Sequence, residues 1–355
     1  MSARNRFSLF LGISFISLMG LASCQKEGMQ SGLSSAGGVK ANNIIVLPPP
    51  IYTWWGNVGK IPYTDDIKGD VPISNQYPLG FAINGKGFVL GSLLTTSWIT
   101  GDYIGDLWQY DTSTRVWTKK SPCPLGGGYL IEGTVFVIGD NAYVVAHNQT
   151  WQYNQPTNTW TQKATLPGDE RMNATGFAIN GKGYIGLGWD EDAPGSGLTE
   201  FGDWWQYDPV SDHWTQKQNF PGNKREGAAG FAIDGLGYVV SGSHYANGHG
   251  NWGKTVWQYN PATDGWTQRN NFPGTGRWKA VAANATVGGV DVGFICGGDN
   301  DDTADNDLWE YNPATDSWFQ CQNIPGGART EAAGFVIGRA LFIANISVAT
   351  YVWSR

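Results

Sequence analysis

Arginine recurs at one place in this chain. Arg171, Arg225 and Arg329 each stand six residues before a Phe, at Phe177, Phe231 and Phe335, and Arg277 holds the like place four residues after Pro273. Asn75 and Leu130 fill the position elsewhere, so the set is incomplete. Glu226 and Glu331 lie within two residues of Arg225 and Arg329. Guanidinium groups gathered near one axis can take an anionic or hydroxyl-rich ligand. The same groups can instead tie a chain connection to a neighbouring element, with nearby carboxylates offsetting their mutual repulsion. Both uses are open to the sequence. Trp98, Trp189, Trp252 and Trp278 fall in loops on the same face. Aromatic faces beside carboxylates and amides suit the C–H faces and hydroxyls of sugars. They equally suit a protein hot spot, or a cap over buried structure.

Two further clusters could hold metal. The run from Asp299 through Asp301 and Asp305 to Asp307 is rich in oxygen ligands of the kind Ca²⁺ takes, but its spacing is not that of an EF-hand loop. A solvated loop is the expectation there. His244 and His249 share a Gly-rich loop with no matched third ligand. No metal and no cofactor is therefore expected.

The elements that must position these residues repeat. Trp108-Gln109-Tyr110, Trp151-Gln152-Tyr153, Trp205-Gln206-Tyr207, Trp257-Gln258-Tyr259 and Trp309-Glu310-Tyr311 are each followed by a second Trp, at 117, 160, 214, 266 and 318. A period near fifty residues marks a repeat architecture. Each unit reads as four short strands. Apolar residues flank Asn-Gly at Gly176 to Ile185 and at Gly80 to Phe88, and Asp-Gly at Gly230 to Tyr238, which predicts a tight type I′ hairpin of strands one and two. The Trp-Gln-Tyr strand is third. A turn such as Asn260-Pro261-Ala262-Thr263-Asp264 leads to the fourth, which ends at Pro124, Pro167, Pro221, Pro273 and Pro325.

These units resemble the Kelch repeat, a four-stranded β-propeller blade. The resemblance covers residues 51–355. It departs in strand two, where only Gly297-Gly298 keeps the usual pair of glycines, while Gly91, Gly188 and Gly242 keep one and Val145-Ala146 none. The last unit stops after its third strand at Trp353, and Trp55 to Pro62 supplies a lone fourth strand at the other end. The expected fold is all-β, a six-bladed Kelch-type propeller with four antiparallel strands per blade, its last blade closed by the N-terminal strand. Closure protects sheet edges.

Residues 1–23 carry Arg4, Arg6 and an apolar run too short to span a membrane, and predict a signal peptide. Leu21-Ala22-Ser23-Cys24 resembles a bacterial lipobox, which implies lipidation of Cys24 and an outer-membrane anchor, periplasmic or surface-exposed. Gln25-Lys26-Glu27 is similar to surface-export signals of Bacteroidetes lipoproteins. Residues 24–50 read as a flexible tether and 51–355 as the propeller. Of the remaining cysteines, Cys296 and Cys321 fall on strands two and four of one blade, too far apart to bond. The formal charge of −7 excludes a nucleic-acid role. A monomer is expected.

Successive repeat Trp residues are spaced unevenly, and the differences lie in the two-three loops and the blade connections, which emerge on one face. Long loops on one face of a rigid scaffold are where binding is expected. Two functions fit. One is a lipid-anchored scaffold that binds a glycan or a protein through this face. The other follows from similarity to periplasmic N-acetylneuraminate epimerases, a sugar mutarotase or epimerase. That similarity implies Glu226 or Glu331 as acid/base for ring opening, with Arg225 and Arg329 holding a substrate carboxylate. Galactose oxidase also has a Kelch-like domain, but its copper site and further domain find no match here. Non-catalytic binding is the leading expectation.

Overall fold

The computed structural model describes residues 54–57, 78–94, 103–125, 132–190, 199–246, 249–300, 303–324, 328, 332–344 and 351–354. The proposed signal peptide, Cys24 and the tether lie outside them. The described residues form an all-β propeller of antiparallel four-stranded sheets. In chain order the strands begin with β1 (Trp54–Asn57), β2 (Leu79–Ile83), β3 (Lys86–Leu94), β4 (Tyr103–Asp111) and β5 (Val116–Lys119). The next blade holds β6 (Thr134–Ile138), β7 (Asn141–Ala146), β8 (Gln149–Asn154) and β9 (Thr159–Lys163). Then come β10 (Thr175–Ile179), β11 (Lys182–Gly186), the short pair β12 (Trp189–Asp190) and β13 (Thr199–Glu200), β14 (Trp204–Asp208) and β15 (His213–Lys217). They are followed by β16 (Ala229–Ile233), β17 (Leu236–Val240), the pair β18 (Ser243–Ala246) and β19 (His249–Trp252), β20 (Val256–Asn260) and β21 (Gly265–Arg269). Last are β22 (Val281–Val287), β23 (Val290–Cys296), β24 (Leu308–Asn312), β25 (Ser317–Gln320), β26 (Ala333–Ile337), β27 (Ala340–Ala344) and β28 (Tyr351–Ser354).

Five sheets draw their four strands from one continuous stretch, in the orders β2-β3-β4-β5, β6-β7-β8-β9, β10-β11-β14-β15, β16-β17-β20-β21 and β22-β23-β24-β25. A further sheet runs β1-β28-β27-β26, with Trp55 opposite Trp353. The hairpin turns follow their residues. Asn84-Gly85, Asn180-Gly181 and Asp234-Gly235 all take positive φ, as a type I′ turn requires.

The blades interlock through a knob and a hole. Phe136, Phe177, Phe231 and Phe335 on the inner strands are buried. Each ring fills the space over a strand-two glycine of the next blade: Gly183, Gly237, Gly293 and Gly87 respectively. A Cβ at any of these glycines would overlap the ring. Inner strands β2, β6, β10, β16, β22 and β26 each touch the next, and β26 touches β2.

The repeat Trp and Tyr are polar fasteners as well as core. In four blades the Tyr hydroxyl donates to an Asx side chain in the three-four turn: Tyr153 to Asn158 at 2.9 Å, Tyr207 to Asp212 at 2.5 Å, Tyr259 to Asp264 at 2.7 Å and Tyr311 to Asp316 at 2.8 Å. The same Asx accepts a backbone N–H from the preceding blade, at Ser121, Ala164, Gln218 and Asn270. The second Trp then donates its Nε1 to the carbonyl of that same residue, at 2.9, 2.9, 3.0 and 3.4 Å. All four Asx sit at positive φ, which Asn and Asp tolerate best among non-glycine residues. Burial would raise the Asp264 carboxyl, but the Gln218 N–H and Tyr259 hydroxyl outweigh it and leave it lowered. Asp264→Ala leaves two donors without a partner and is expected to destabilise by about 2 kcal/mol. Asp264→Asn should restore most of that, because Asn158 already serves this role. Denaturant midpoints of the two variants check it.

Leu308 lies opposite Cys296 on one side and accepts the Cys321 N–H on the other. A strand thus separates the two cysteines, as the sequence requires.

Candidate functional site

The site is built from the segments that enter the inner strands. Glu132, Asn173, Gly227 and Lys279 each stand two residues before one, and all four take positive φ, between 52° and 66°. Their backbones are linked. Asn173 N–H donates to the Glu132 carbonyl at 2.8 Å, Gly227 N–H to Asn173 at 2.9 Å and Lys279 N–H to Gly227 at 2.9 Å. This makes an arc of peptide hydrogen bonds from blade to blade around the central opening. Inside it is a cavity of about 210 Å³ lined by Glu132, Thr134, Asn173, Thr175 and Lys279 among others. A second space of about 340 Å³, lined by inner-strand residues from Gly80 to Val336, lies along the same strands.

The polar groups at this mouth bond across blades. Lys279 Nζ lies 3.6 Å from Glu132 Oε1 and 4.0 Å from the centre of the Trp278 ring. Glu132 Oε2 is buried and accepts no hydrogen bond from the described residues. Asn173 Nδ2 donates to Glu226 Oε2 at 2.8 Å. Burial pushes the Glu226 carboxyl up to about 7, against the pull of Asn173, and Glu132 adds to the rise. A carboxyl poised there can give or take a proton near neutral pH.

The cavity opens on the face that carries the varied loops. Met172 bridges Trp189, Glu226 bridges Ser243 and Trp278 bridges Asp299, so each connection lies against the two-three loop of its own blade. Two of those loops form the hairpins β12–β13 and β18–β19. Glu200 of the first hairpin reaches the second. It accepts the Tyr245 N–H at 2.8 Å and contacts His244 Nδ1 at 2.5 Å. Glu200→Ala should free the tip of β18–β19, seen as faster amide exchange at Tyr245 with little change elsewhere.

The arginines are placed otherwise than at the axis. Arg171 forms a bidentate pair with Asp203 at 2.6 and 2.8 Å and lies over Phe201. Burial would raise Asp203, but Arg171 overcomes it and holds the carboxyl low. Arg277, fully buried, pairs with Asp307 and Asp305, donates to the Gly297 and Thr275 carbonyls and stacks on Phe272. Arg225 has no ion pair among the described residues. It donates to Ser241 O, Thr255 Oγ1 and Asn223 O and lies over Phe220, and burial lowers it to about 10. None of the three lines the cavity. The reading that gathers these guanidinium groups near one axis is therefore corrected for the three: each fastens its connection to the two-three loop of its own blade. Arg329 and Glu331 lie outside the described residues.

The half-buried tryptophans are built into the loops. Trp189 pairs with Glu200, Trp252 with Ser243, and Trp278 donates to Asp299. Trp98 is outside the described residues. In the acidic loop, Asp305 and Asp307 serve Arg277 and Asp299 serves Trp278, while Asp301 is outside the described residues. Among the described residues no group of three or more His, Cys, Asp or Glu is arranged to hold a metal ion.

Sequence reasoning missed Glu132, Asn173, Lys279 and Glu200. The signal for the first two was their place, four residues before Phe136 and Phe177, and Glu331 holds that place before Phe335. No family model matches the chain, and no curated protein does. Among solved structures, the one titled "Structure of YjhT" is similar at a TM-score of 0.60 and 14% identity, over 79% of this chain and 93% of that one. At that identity the likeness establishes the β-propeller fold.

Proposed function

We propose that the chain is a lipid-anchored cell-envelope propeller of the Kelch type that binds the end of a glycan at the axial mouth of its long-loop face. The observation that carries this is the cavity lined by polar side chains of three blades, Glu132, Asn173 and Lys279, on the face where the loops vary. Trp278 beside Lys279 adds an aromatic surface. A glycan array on the mature chain tests it. Binding that Asn173→Ala weakens tenfold or more supports an axial site. Binding that this variant leaves unchanged moves the site elsewhere, and no binding to any glycan overturns the proposal.

A second function, sugar mutarotation or epimerisation, is favoured by one observation, the Glu226 carboxyl held near neutrality by burial. Glu226→Gln should then abolish turnover while leaving binding in place. In that reading Arg171, Arg225 and Arg277 position loops and a substrate carboxylate needs another partner.

Six blades closed by the N-terminal strand are also proposed. Support comes from the pairing of β1 with β28 and from the Phe335 ring over Gly87, which repeats the interlock of the other blades. Trp117 Nε1 is buried without a partner among the described residues. In the other blades this donor meets a carbonyl four residues after the preceding second Trp, as Trp160 meets Ser121. Deletion of residues 51–62 should lower the melting temperature and promote association. An unchanged, monomeric product would refute closure. Anchoring through Cys24 is expected to be lost in Cys24→Ser, read by detergent partitioning. No nucleic-acid partner is proposed, and the propeller is taken to act as a monomer.

A further inference from the structure

The charges at the axial mouth say which sugars it can take. Among the described residues the cavity wall carries two charged groups, Glu132 and Lys279, and they face each other. The Lys279 ammonium lies between the Trp278 ring and the Glu132 carboxylate, its side chain 7% exposed. Behind Asn173 stands a further carboxyl, Glu226. Among the described residues, the arginines that could have met an anion are turned away. Arg171 and Arg277 hold aspartates of their own blades, and Arg225 is committed to two carbonyls and a hydroxyl.

One oxygen at the mouth lacks a hydrogen-bond partner among the described residues. Glu132 Oε2 is buried and bonded to nothing among the described residues. A carboxylate oxygen out of water without a donor is costly, and it can only accept. A ligand hydroxyl or ammonium would satisfy it. A ligand carboxylate would meet it as a like charge. The Asn173 amide and the Thr134 and Thr175 hydroxyls line the same space and can accept or donate. At about 210 Å³ the cavity is smaller than the roughly 300–1,000 Å³ usual for drug-sized ligands, which suits one sugar ring or a chain end.

We infer that the axial cavity takes a neutral or amino-bearing monosaccharide unit, with Glu132 accepting from its hydroxyl or ammonium, and rejects sugars that carry a carboxylate. This rests on the glycan-binding function proposed above and names its ligand class. It runs against a substrate carboxylate clamped by arginine.

Calorimetric titration of the full mature protein with methyl glucoside, methyl glucosaminide, methyl glucuronide and N-acetylneuraminic acid tests it. The first two are expected to bind at least tenfold more tightly than the two acids. Glu132→Gln should reduce the preference for the glucosaminide over the glucuronide at least tenfold, with thermal melting run beside it to confirm folding. The wild-type panel decides the matter even if that variant does not fold. If either acid binds as tightly as the neutral sugar, the charge selection is overturned while glycan binding stands. If none of the four binds, even at millimolar concentration, the glycan function falls and this inference falls with it.

Discussion

Glu226→Gln is expected to stabilise the protein, and the gain should appear only as the pH rises. The Glu226 side chain is buried and its carboxyl is pushed up to about 7. In the unfolded chain a glutamic acid titrates at about 4.3. Below that value both states hold the proton and the residue costs nothing. Between about 4.3 and 7 the unfolded chain has released its proton and the native protein has not. The native state then binds more protons, so stability falls as the pH rises through this window and levels off above 7. The full difference is about 4 kcal/mol, at about 1.4 kcal/mol per pH unit. Glutamine keeps an acceptor for Asn173 Nδ2 and carries no charge to desolvate. Melting curves of the two proteins should coincide near pH 4 and separate by several degrees at pH 8, with the variant higher. Parallel curves across that range would show that Glu226 is not held neutral by burial.

Arg277→Met should do the opposite and do so at every pH near neutrality. The guanidinium is wholly buried and is the partner of Asp305 and Asp307. Asp307 also accepts from Trp309 Nε1 at 2.7 Å, so it fixes the start of β24. Removing one member of a buried pair leaves the other charge uncompensated, at about 3–5 kcal/mol. Arg277→Lys keeps the charge but loses the planar fork, and it should recover only part of the stability. Because Arg277 does not line the axial cavity, glycan affinity in the folded fraction should be unchanged. A lysine variant that melts with the native protein would remove the structural role, and one that weakens binding alone would return the arginine to the site.

The repeat made the blades legible. Trp-Gln-Tyr, the Asn-Gly hairpins and the lone strand at Trp54–Asn57 each depend on neighbours a few residues away, and local spacing carries such information. The Arg positions were legible for the same reason. Their direction was not. Arg171 turns to Asp203 and Arg277 to Asp307 across some thirty residues of chain that include two strands of the blade, and nothing local to the arginine marks its partner. The run Asp307-Leu308-Trp309 repeats Asp106-Leu107-Trp108 of another blade, yet its aspartate neutralises a buried cation. The axial residues were hidden more thoroughly. Glu132, Asn173, Gly227 and Lys279 share a place and a backbone shape but no chemistry, so a search for recurring residue types passes over them. Glu200 and His244 belong to different blades and meet only because two inserted hairpins lie side by side.

The peptide arc at the mouth has a bearing on how such a protein can change. Its hydrogen bonds run from N–H to carbonyl and ask only for a left-handed backbone at each position. A glutamate, an asparagine, a glycine and a lysine all meet that demand here. The frame is thus indifferent to the side chains it displays, apart from the modest strain a non-glycine residue bears at positive φ. Selection can rewrite the charge and reach of the opening one blade at a time without renegotiating the fold. The same separation makes positions 132, 173 and 279 the natural places for a small combinatorial library. Its members should stay folded while differing in what they admit.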